Sequence, residues 1–324
     1  MTRLPAEWET QDLVQIMIPH KDSDWAPYID DVKPVFDKLI ENITKFQDCL
    51  ICYKYEEDIK FLPNNERTIY KKIDSNDTWC RDFGAICVEV DGKINLLDFT
   101  FNGWGNKFDA SLDNQITQKI FKNFQTIDLV LEGGSIDSNG AGVLLTTEDC
   151  LLEKNRNPQM SKNEIEDKLK EIFGANQIIW LKNGYLEGDD TDSHIDMLAR
   201  FANQNTIVYQ SCDDKNDPHF EALKEMENEL KATGFKLVAL PWISAKYFDG
   251  ERLPASYANF LLINGACLVP TYRDENDAQA IEIFSVLFPD RQIIAIDFSA
   301  IIRQHGSLHC LTMQYPKGVK NELA

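Results

Sequence analysis

Five segments of this 324-residue chain repeat one rough pattern, a short strand, a polar or glycine-containing turn and an apolar strand. The segments are Asp82–Phe101, Leu131–Thr146, His194–Tyr209, Tyr257–Tyr272 and Gly306–Tyr315. Their turns include the dipeptides Asp91-Gly92, Asn139-Gly140 and Asn264-Gly265, which are favoured in tight hairpins. A unit that recurs at roughly 50 to 65 residues indicates an architecture of equivalent repeated units.

Helical patterns lie between these hairpins. The predicted helices span Ile29–Phe46, Leu112–Phe124, Ser161–Phe173, Pro218–Thr233 and Asp277–Phe288. Ser161 and Glu164 form a capping box, and Gly234 stands where a helix C-cap is expected. Short strands follow three of the helices, at Ile178–Leu181, Lys236–Leu240 and Gln292–Asp297.

These elements predict an α/β fold, a five-bladed pseudo-symmetric α/β-propeller of repeated ββαβ units. Residues 1–324 would form a single catalytic domain. The competing interpretation is a doubly wound parallel sheet, which needs long apolar strands directly followed by helices. The glycine- and asparagine-containing hairpins interrupt any such run and favour the ring.

Charge and cysteine content restrict the function. The chain has 33 basic and 53 acidic residues and a net charge of −20, so most of its surface would repel a phosphate backbone. An acidic surface aids solubility, and it can also attract small cations. No apolar run reaches the length of a membrane helix. The eight scattered cysteines and an N-terminus unlike a signal or transit peptide predict a cytoplasmic protein that binds neither nucleic acid nor membrane.

Polar residues stand at the start of four of the repeated segments. They are Asp82, Glu132, the pair His194 and Asp196, and Cys310. In a ring of repeats, equivalent positions point toward a common axis. We therefore expect these five side chains to meet, with His194 and Asp196 on one face of a strand.

The chemistry of this set suits a guanidinium group. Cysteine is a strong nucleophile as a thiolate, and histidine transfers protons near neutral pH. Converging carboxylates repel one another unless a cation lies between them, and the planar guanidinium pairs with carboxylates bidentately. The set therefore predicts a cysteine-dependent hydrolase with Cys310 as nucleophile, a small cationic guanidine substrate and no cofactor.

Plainer interpretations stand beside this one. Cys310 alone would more often be a buried thiol, and the Cys49-x-x-Cys52 pair lies in an apolar run typical of a core strand. Trp79 and Trp104 fit a core or a partner surface, and Asp82 next to Arg81 fits a surface ion pair. His194 with its neighbouring aspartates resembles a metal site, but HxxxH and HExxH spacings are missing, so no metal is predicted. The other histidines have no comparable carboxylate neighbours in the sequence and are predicted to be structural or exposed: His20, His219, His305 and His309.

Several ordered motifs resemble the agmatine deiminase family, which belongs to the guanidine-modifying superfamily together with bacterial-type peptidylarginine deiminases. The motifs are Leu4-Pro5-Ala6-Glu7-Trp8-Glu9, Trp79-Cys80-Arg81-Asp82-Phe83-Gly84, Asn102-Gly103-Trp104-Gly105, Leu131-Glu132-Gly133-Gly134-Ser135, Asn155-Arg156-Asn157-Pro158, Asp190-Thr191-Asp192-Ser193-His194-Ile195-Asp196, Ala255-Ser256-Tyr257-Ala258-Asn259-Phe260 and Gly306-Ser307-Leu308-His309-Cys310-Leu311-Thr312. They extend over nearly the whole chain.

The resemblance implies a role for each candidate residue. Cys310 attacks the guanidinium carbon and forms a covalent thiouronium, while Asp82 and Asp196 hold the guanidinium nitrogens. His194 protonates the leaving ammonia and later activates water, and Glu132 orients His194. Trp79 and Trp104 are expected beside the substrate. Agmatine would yield N-carbamoylputrescine and ammonia, a step of putrescine biosynthesis and polyamine metabolism.

Other outcomes stay open at this stage. Ser193 replaces the usual glycine of the family motif, and further departures lie at Phe83, Ala85 and Met313 to Tyr315. These leave peptidylarginine and free arginine as alternative substrates. An acidic cleft disfavours the arginine carboxylate unless Arg81 or Arg303 pairs with it, whereas Asp189 or Asp190 suits the distal amine of agmatine. A non-catalytic guanidine-binding protein is the alternative of a different class, and a homo-oligomer is compatible with the sequence.

Overall fold

The computed structural model describes residues 2–324, which form a mixed α/β fold of several small sheets. The strands are β1 (Thr2–Arg3), β2 (Gln11–Met17), β3 (Asp48–Tyr53), β4 (Thr68–Lys72), β5 (Ile86–Val90), β6 (Lys93–Thr100), β7 (Gln125–Val130), β8 (Ile136–Ser138), β9 (Val143–Thr147), β10 (Gln177–Leu181), β11 (Ala199–Asn203), β12 (Thr206–Gln210), β13 (Lys236–Leu240), β14 (Lys246–Phe248), β15 (Glu251–Leu253), β16 (Leu261–Ile263), β17 (Ala266–Thr271), β18 (Gln292–Asp297) and β19 (Thr312–Pro316).

Helices connect these strands. They are α1 (Ile29–Thr44), α2 (Cys80–Phe83), α3 (Gly103–Asn106), α4 (Ile116–Ile120), α5 (Glu148–Leu151), α6 (Lys162–Phe173), α7 (Phe220–Ala232) and α8 (Asp277–Leu287). Short 3-10 turns lie at Ala26–Tyr28, Glu56–Ile59, Asp113–Gln115, Gly133–Ser135, Ile195–Met197, Ile301–Gln304 and Val319–Glu322. Among residues 2–324, no helix combines the length and apolarity needed to cross a bilayer.

Five of the sheets share one topology, an antiparallel pair followed by a third, parallel strand. Four of them are formed by consecutive strands: β5-β6-β7, β8-β9-β10, β11-β12-β13 and β16-β17-β18. In each of these sheets one or more helices cross from the second strand to the third, as parallel pairing requires. The predicted hairpins and ββαβ order are thus present in these four units, and β14 and β15 form a separate hairpin.

The fifth sheet joins the two ends of the chain. β19 pairs antiparallel with β2, with Thr312 opposite Ile16, and β2 then pairs parallel with β3. The incomplete repeat at Gly306–Tyr315 thus contributes one strand, and the N-terminal segment supplies its antiparallel partner. Cys49 and Cys52 lie buried in β3, which confirms the core-strand interpretation.

Four of the five predicted helices are present near the predicted bounds. The capping box at Ser161 and Glu164 begins α6, and Gly174 ends it in the left-handed conformation. An N-cap of this kind contributes about 1 kcal/mol. The predicted helix Leu112–Phe124 was wrong: it is reduced to a 3-10 turn and the five-residue α4. Its C-terminal part is extended instead, because Phe121 forms a β-bridge with Leu323.

Candidate active site

The five predicted catalytic residues lie just before the first strands of their sheets, in short helical turns and loops. Asp82 is in α2, Glu132 precedes the turn Gly133–Ser135, and Cys310 lies two residues before β19. His194 and Asp196 lie at the turn Ile195–Met197, so the expectation that they share one strand face was wrong. The chain bends here because Ser193 has φ of 66°, a conformation that favours the family's glycine.

A pocket opens at these turns. Its walls contain six of the predicted site residues, Trp79, Asp82, Trp104, Asp190, His194 and Cys310, together with Asp24, Asp77, Phe108, Asp189, Thr191, Met197, Gln304, His305 and Gly306. Five aspartates and no lysine or arginine of residues 2–324 are in this set. Glu132 and Asp196 lie fully buried beneath the pocket surface.

Asp82 is held by two donors. The indole Nε1 of Trp104 donates to Oδ2 at 3.0 Å, and the backbone N–H of Gly134 donates to Oδ1 at 3.1 Å. Burial, together with the charges of Asp196 and Glu132, raises the pKa of Asp82 well above its ordinary value. The carboxyl group is thus fixed in place, but no lysine or arginine of residues 2–324 forms an ion pair with it.

Cys310 and Asp196 are in contact at the buried end of the pocket. The Cys310 thiol lies 3.8 Å from Asp196 Oδ2, and Asn259 Nδ2 donates to Cys310 Sγ at 3.3 Å. Burial, followed by the charges of Asp196 and Asp82, raises the pKa of Cys310 well above its ordinary value. The thiol is therefore protonated at neutral pH while the pocket holds no cation.

His194 is buried beside Asp82, with Nδ1 at 3.6 Å from Asp82 Oδ1. Neither ring nitrogen has a hydrogen-bond partner among residues 2–324, and burial lowers the pKa of His194 to about 3. The imidazole is neutral and able to accept a proton from a bound group. Glu132 makes no hydrogen bond to His194; Arg156 Nε instead donates to both Glu132 oxygens, at 2.9 and 3.1 Å.

Three potential metal ligands come together at the same place. Ligand atoms of Glu132, Cys150 and His194 lie within 4.8 Å of one another, and all three residues are buried. Arg156 already pairs with Glu132, so its positive charge opposes a metal cation at that carboxylate. Asp192, which the sequence had offered as a ligand near His194, pairs with Arg156 and Lys107.

Gly134 allows the polar groups to approach one another. A Cβ atom there would lie 2.7 Å from His194 Nδ1 and 2.8 Å from Asp82 Oδ1. Any other residue would therefore push the imidazole and the carboxylate apart. Gly306 similarly allows the Trp79 ring to form the pocket wall, since its Cβ would lie 2.3 Å from that ring.

Two of the histidines have carboxylate partners that the sequence did not reveal. His309 contacts Asp196 through Nδ1 at 2.8 Å and Glu7 through Nε2 at 2.7 Å, and His219 contacts Asp217 at 2.6 Å. Both are buried, and their carboxylate partners escaped the sequence argument because these lie far along the chain or in a loop. His305 lines the pocket and contacts the Gly188 carbonyl.

Asn259 and Arg156 are further site residues that the sequence argument quoted only within motifs. Asn259 Oδ1 accepts the backbone N–H groups of His309 and Cys310, at 2.8 and 3.3 Å. It thereby fixes the loop that carries the thiol. One feature of the sequence indicated Asn259: it is a polar residue just before β16, and β16 is equivalent to the strands that follow Asp82 and Glu132.

Known proteins are similar to this chain in sequence and fold over nearly their full length. Residues 3–316 match the family described as Porphyromonas-type peptidyl-arginine deiminase. The agmatine deiminase of Medicago truncatula is 33% identical, over 97% of this chain and 96% of that protein. A cysteine-to-serine variant of C. jejuni agmatine deiminase, solved with substrate bound, has a TM-score of 0.97 and 43% identity, covering 98% of this chain and 97% of that one.

A second solved structure, the agmatine deiminase of Enterococcus faecalis, has a TM-score of 0.89 at 29% identity and covers 98% of this chain and 96% of its own. Fold and sequence together define an enzyme that hydrolyses a carbon–nitrogen bond of a guanidinium group. The chain belongs to the Porphyromonas-type peptidyl-arginine deiminase family.

Proposed function

We propose that this protein is an agmatine deiminase, which converts agmatine and water to N-carbamoylputrescine and ammonia. One observation carries the proposal: a pocket lined by five aspartates and by no lysine or arginine of residues 2–324 ends at Cys310. Such a pocket suits a substrate with a positive charge at each end. The names of the similar proteins support the same substrate.

The proposed reaction uses the five predicted residues. Asp82 and Asp196 hold the guanidinium nitrogens and place the central carbon against Cys310 Sγ. Holding the reacting atoms in this geometry accelerates the reaction. The Cys310 thiol gives its proton to His194 and forms a C–S bond with the guanidinium carbon, and His194 passes that proton to the departing nitrogen, so that the C–N bond breaks and ammonia leaves. Water then adds to the thiouronium carbon with His194 as base, the C–S bond breaks, the proton returns to the Cys310 sulfur, and a ureido product remains.

Substrate binding would itself activate the nucleophile. The free site combines a thiol of raised pKa with a carboxyl group of raised pKa, because both groups are buried and both lie near the negative charge of Asp196. A guanidinium between them supplies the missing positive charge and lowers both pKa values. Glu132, held by Arg156, adds negative potential next to His194.

Asp190 is the proposed partner of the distal amine. Asp189 is engaged by Thr191 and by the backbone N–H of Ser193, whereas the Asp190 carboxylate has no hydrogen bond or ion pair within residues 2–324 and lines the pocket. Burial raises the pKa of Asp190, as expected for a carboxylate that awaits a cation.

Neither Arg81 nor Arg303, the arginines considered as partners of a substrate carboxylate, is free to pair with one in the pocket. Arg81 is buried and donates to Gln314, and Arg303 pairs with Asp31 at 2.6 Å and stacks on Phe248. This argues against free arginine as the substrate. Peptidylarginine, which brings no second cation, would leave Asp190 without a partner.

The wider setting belongs to the same proposal. The five sheets of repeated topology are proposed to form the five blades of one ring, with the chain as a single catalytic domain. The eight buried free thiols fit a reducing cytoplasm. The proposed reaction would place the protein in putrescine biosynthesis and polyamine metabolism. A homo-oligomer is compatible with the proposed function.

The proposal is tested by measuring ureido-product formation side by side with agmatine, free arginine and a peptidylarginine. We expect kcat/KM for agmatine to exceed the other two values by at least about tenfold, since a charged hydrogen bond contributes about 1.5–3 kcal/mol. Comparable or higher values for arginine or peptidylarginine would contradict agmatine as the substrate. A protein that binds agmatine without forming product would be a guanidine-binding protein instead.

Asp190→Asn is expected to raise KM for agmatine by about 10- to 100-fold, because it removes the charge proposed to hold the distal amine. The value of kcat should change much less, since the guanidinium end is untouched. Steady-state kinetics checks this, with Asp128→Asn, an exposed aspartate remote from the pocket, as control. An unchanged KM would assign the distal amine to a different residue.

Iodoacetamide should label Cys310 before the other seven cysteines, because Cys310 alone among the eight lines the pocket. Its pKa is raised in the free protein, so labelling should be slow at pH 7 and accelerate with rising pH. Excess agmatine should protect it. Peptide mass spectrometry checks the site, and equal labelling of several cysteines would oppose a single reactive thiol.

A further inference from the structure

His309 lies directly behind Asp196 and is almost fully buried. Its Nδ1 is 2.8 Å from Asp196 Oδ2, and its Nε2 is 2.7 Å from Glu7 Oε2. The imidazole therefore bridges a carboxylate of the candidate site and a carboxylate near the N-terminus. The mechanism above assigns no role to either His309 or Glu7.

The two carboxylate oxygens of Asp196 have different surroundings. Oδ2 faces His309 and the Cys310 thiol, at 2.8 and 3.8 Å. Oδ1 has no hydrogen-bond partner among residues 2–324, although it is buried. A buried carboxylate oxygen without a donor is costly unless a bound group supplies one, so this oxygen is available for a guanidinium N–H.

Glu7 has strong donors besides His309. Arg200 Nη2 donates to Glu7 Oε2 at 2.6 Å, and the backbone N–H of Leu262 donates to Oε1 at 2.7 Å. Burial acts to raise the pKa of Glu7, but Arg200 and His309 hold it far below its ordinary value. Glu7 is thus an ionised and well-held anchor.

Asp196, by contrast, depends on His309. Among residues 2–324, the one other donor to Oδ2 is the thiol of Cys310, a weak one at 3.8 Å. Burial acts to raise the pKa of Asp196, yet the hydrogen bond and charge of His309 hold it below its ordinary value. Burial, Arg200 and Arg81 act to lower the pKa of His309, while Glu7 and the hydrogen bond with Asp196 act to raise it. Each ring nitrogen lies within hydrogen-bond distance of a carboxylate oxygen, so both contacts need an N–H: Nδ1–H donates to Asp196 Oδ2 and Nε2–H to Glu7 Oε2.

The backbone of the same residue is also fixed. Asn259 Oδ1 accepts the N–H groups of His309 and Cys310, so the imidazole and the thiol are held by one amide. A change in the ring of His309 therefore acts on Asp196 without releasing the loop that carries Cys310.

We propose that His309 is a positioning residue, which donates its Nδ1–H to Asp196 Oδ2 and so keeps Oδ1 directed at the guanidinium. The ring is anchored on its far side by Glu7. This role rests on the proposed deiminase reaction, in which Asp196 holds the guanidinium against Cys310.

Two substitutions separate the two ends of the ring. His309→Asn places an amide nitrogen near the position of Nδ1 and keeps the donor to Asp196. His309→Gln places it near Nε2 and keeps the contact with Glu7 only. We expect His309→Asn to stay within about tenfold of wild-type kcat/KM and His309→Gln to lose about 10- to 100-fold more, mainly in kcat. A glutamine variant as active as the asparagine variant would overturn the proposal.

Tyr315→Phe is the matched control. It removes a buried hydrogen bond of the same C-terminal segment, from Tyr315 Oη to Gln15 at 2.6 Å, without touching Asp196. Its Tm should fall while kcat/KM stays near wild type. A loss of kcat/KM equal to that of His309→Gln would show that general loosening of the segment explains both, and would overturn the positioning role.

A second measurement needs neither a variant nor turnover. Nitrogen-15 NMR of the histidine side chains in the wild-type protein reports which ring nitrogen of His309 carries a proton. We expect a protonated Nδ1, and an unprotonated Nδ1 would contradict the proposal even if every variant failed to fold. Absence of product with agmatine, combined with a protonated Nδ1, would count against the proposed function and leave the His309–Asp196 contact intact.

Discussion

Cys310→Ala is expected to lower ureido-product formation from agmatine by at least about ten-thousand-fold, because no other residue of the pocket can form the thiouronium. Binding should persist, since the carboxylates that hold the guanidinium are unchanged. Product assays measure the first effect and isothermal titration calorimetry the second. The variant should also remain folded, because the substitution removes one small atom from the pocket wall.

Cys267→Ala is the matched control, a fully buried cysteine in β17 that does not line the pocket. It should lose stability of about 1 kcal/mol and keep its activity. Retained turnover in Cys310→Ala would remove the covalent mechanism. Turnover that is then abolished by a chelator would favour the Glu132, Cys150 and His194 cluster as a metal site.

Asp82→Asn should reduce kcat/KM for agmatine by about 100- to 1,000-fold without unfolding the protein. The substitution removes a charge that the guanidinium needs, and a broken buried ion pair costs about 3–5 kcal/mol. In the free protein the same charge destabilises the fold. The pKa of Asp82 is raised in the folded state, so Asp82 lowers the free energy of unfolding at pH values above the pKa of the carboxyl group in the unfolded chain.

Asp82→Asn removes the buried charge, which stabilises the fold. It also turns an amide N–H toward the N–H of Trp104 or Gly134, which destabilises the fold. The two effects oppose each other, so Tm at pH 7 should change by only a few degrees. Raising the pH from 4 to 7 should destabilise wild type more than the variant, as thermal unfolding can test. Asp98→Asn, a half-buried carboxyl in β6 outside the pocket, should keep full activity. A large fall in the Tm of Asp82→Asn would attribute its inactivity to folding instead.

The elements that the sequence predicted well are those specified by neighbouring residues. The capping box at Ser161 and the left-handed Gly174 define α6 locally, and the turns at Asp91-Gly92 and Asn264-Gly265 define their hairpins. The periodicity of Ile29–Phe46 likewise predicted α1 within two residues. In each case the determining contacts lie within a few positions of one another.

The features that were missed depend on contacts between distant residues. β19 pairs with β2 across about 300 residues, and no local pattern marks that partner. The same closure brings Glu7 to His309, which is why His309 was classed with the structural histidines. The predicted helix at Leu112–Phe124 failed for a related reason, because Leu323 captures Phe121 as a β-bridge partner.

Within the candidate site, sequence reasoning found the side chains but not their geometry. Asp82, His194 and Cys310 line one pocket, with Asp196 and Glu132 beneath it. The repeat predicted this gathering, because equivalent positions of a ring are expected to face a common axis. Arg156 as the partner of Glu132, and Asn259 as the residue that fixes the thiol loop, require the folded structure.

The covalent role of Cys310 is tested most directly by mass spectrometry of the intact protein after acid quenching during turnover of agmatine. The account predicts a population heavier than the free enzyme by the mass of agmatine less that of ammonia, located on the peptide that contains Cys310. The adduct should be absent from Cys310→Ala. Steady turnover with an unmodified Cys310, or an adduct on another residue, would contradict the account.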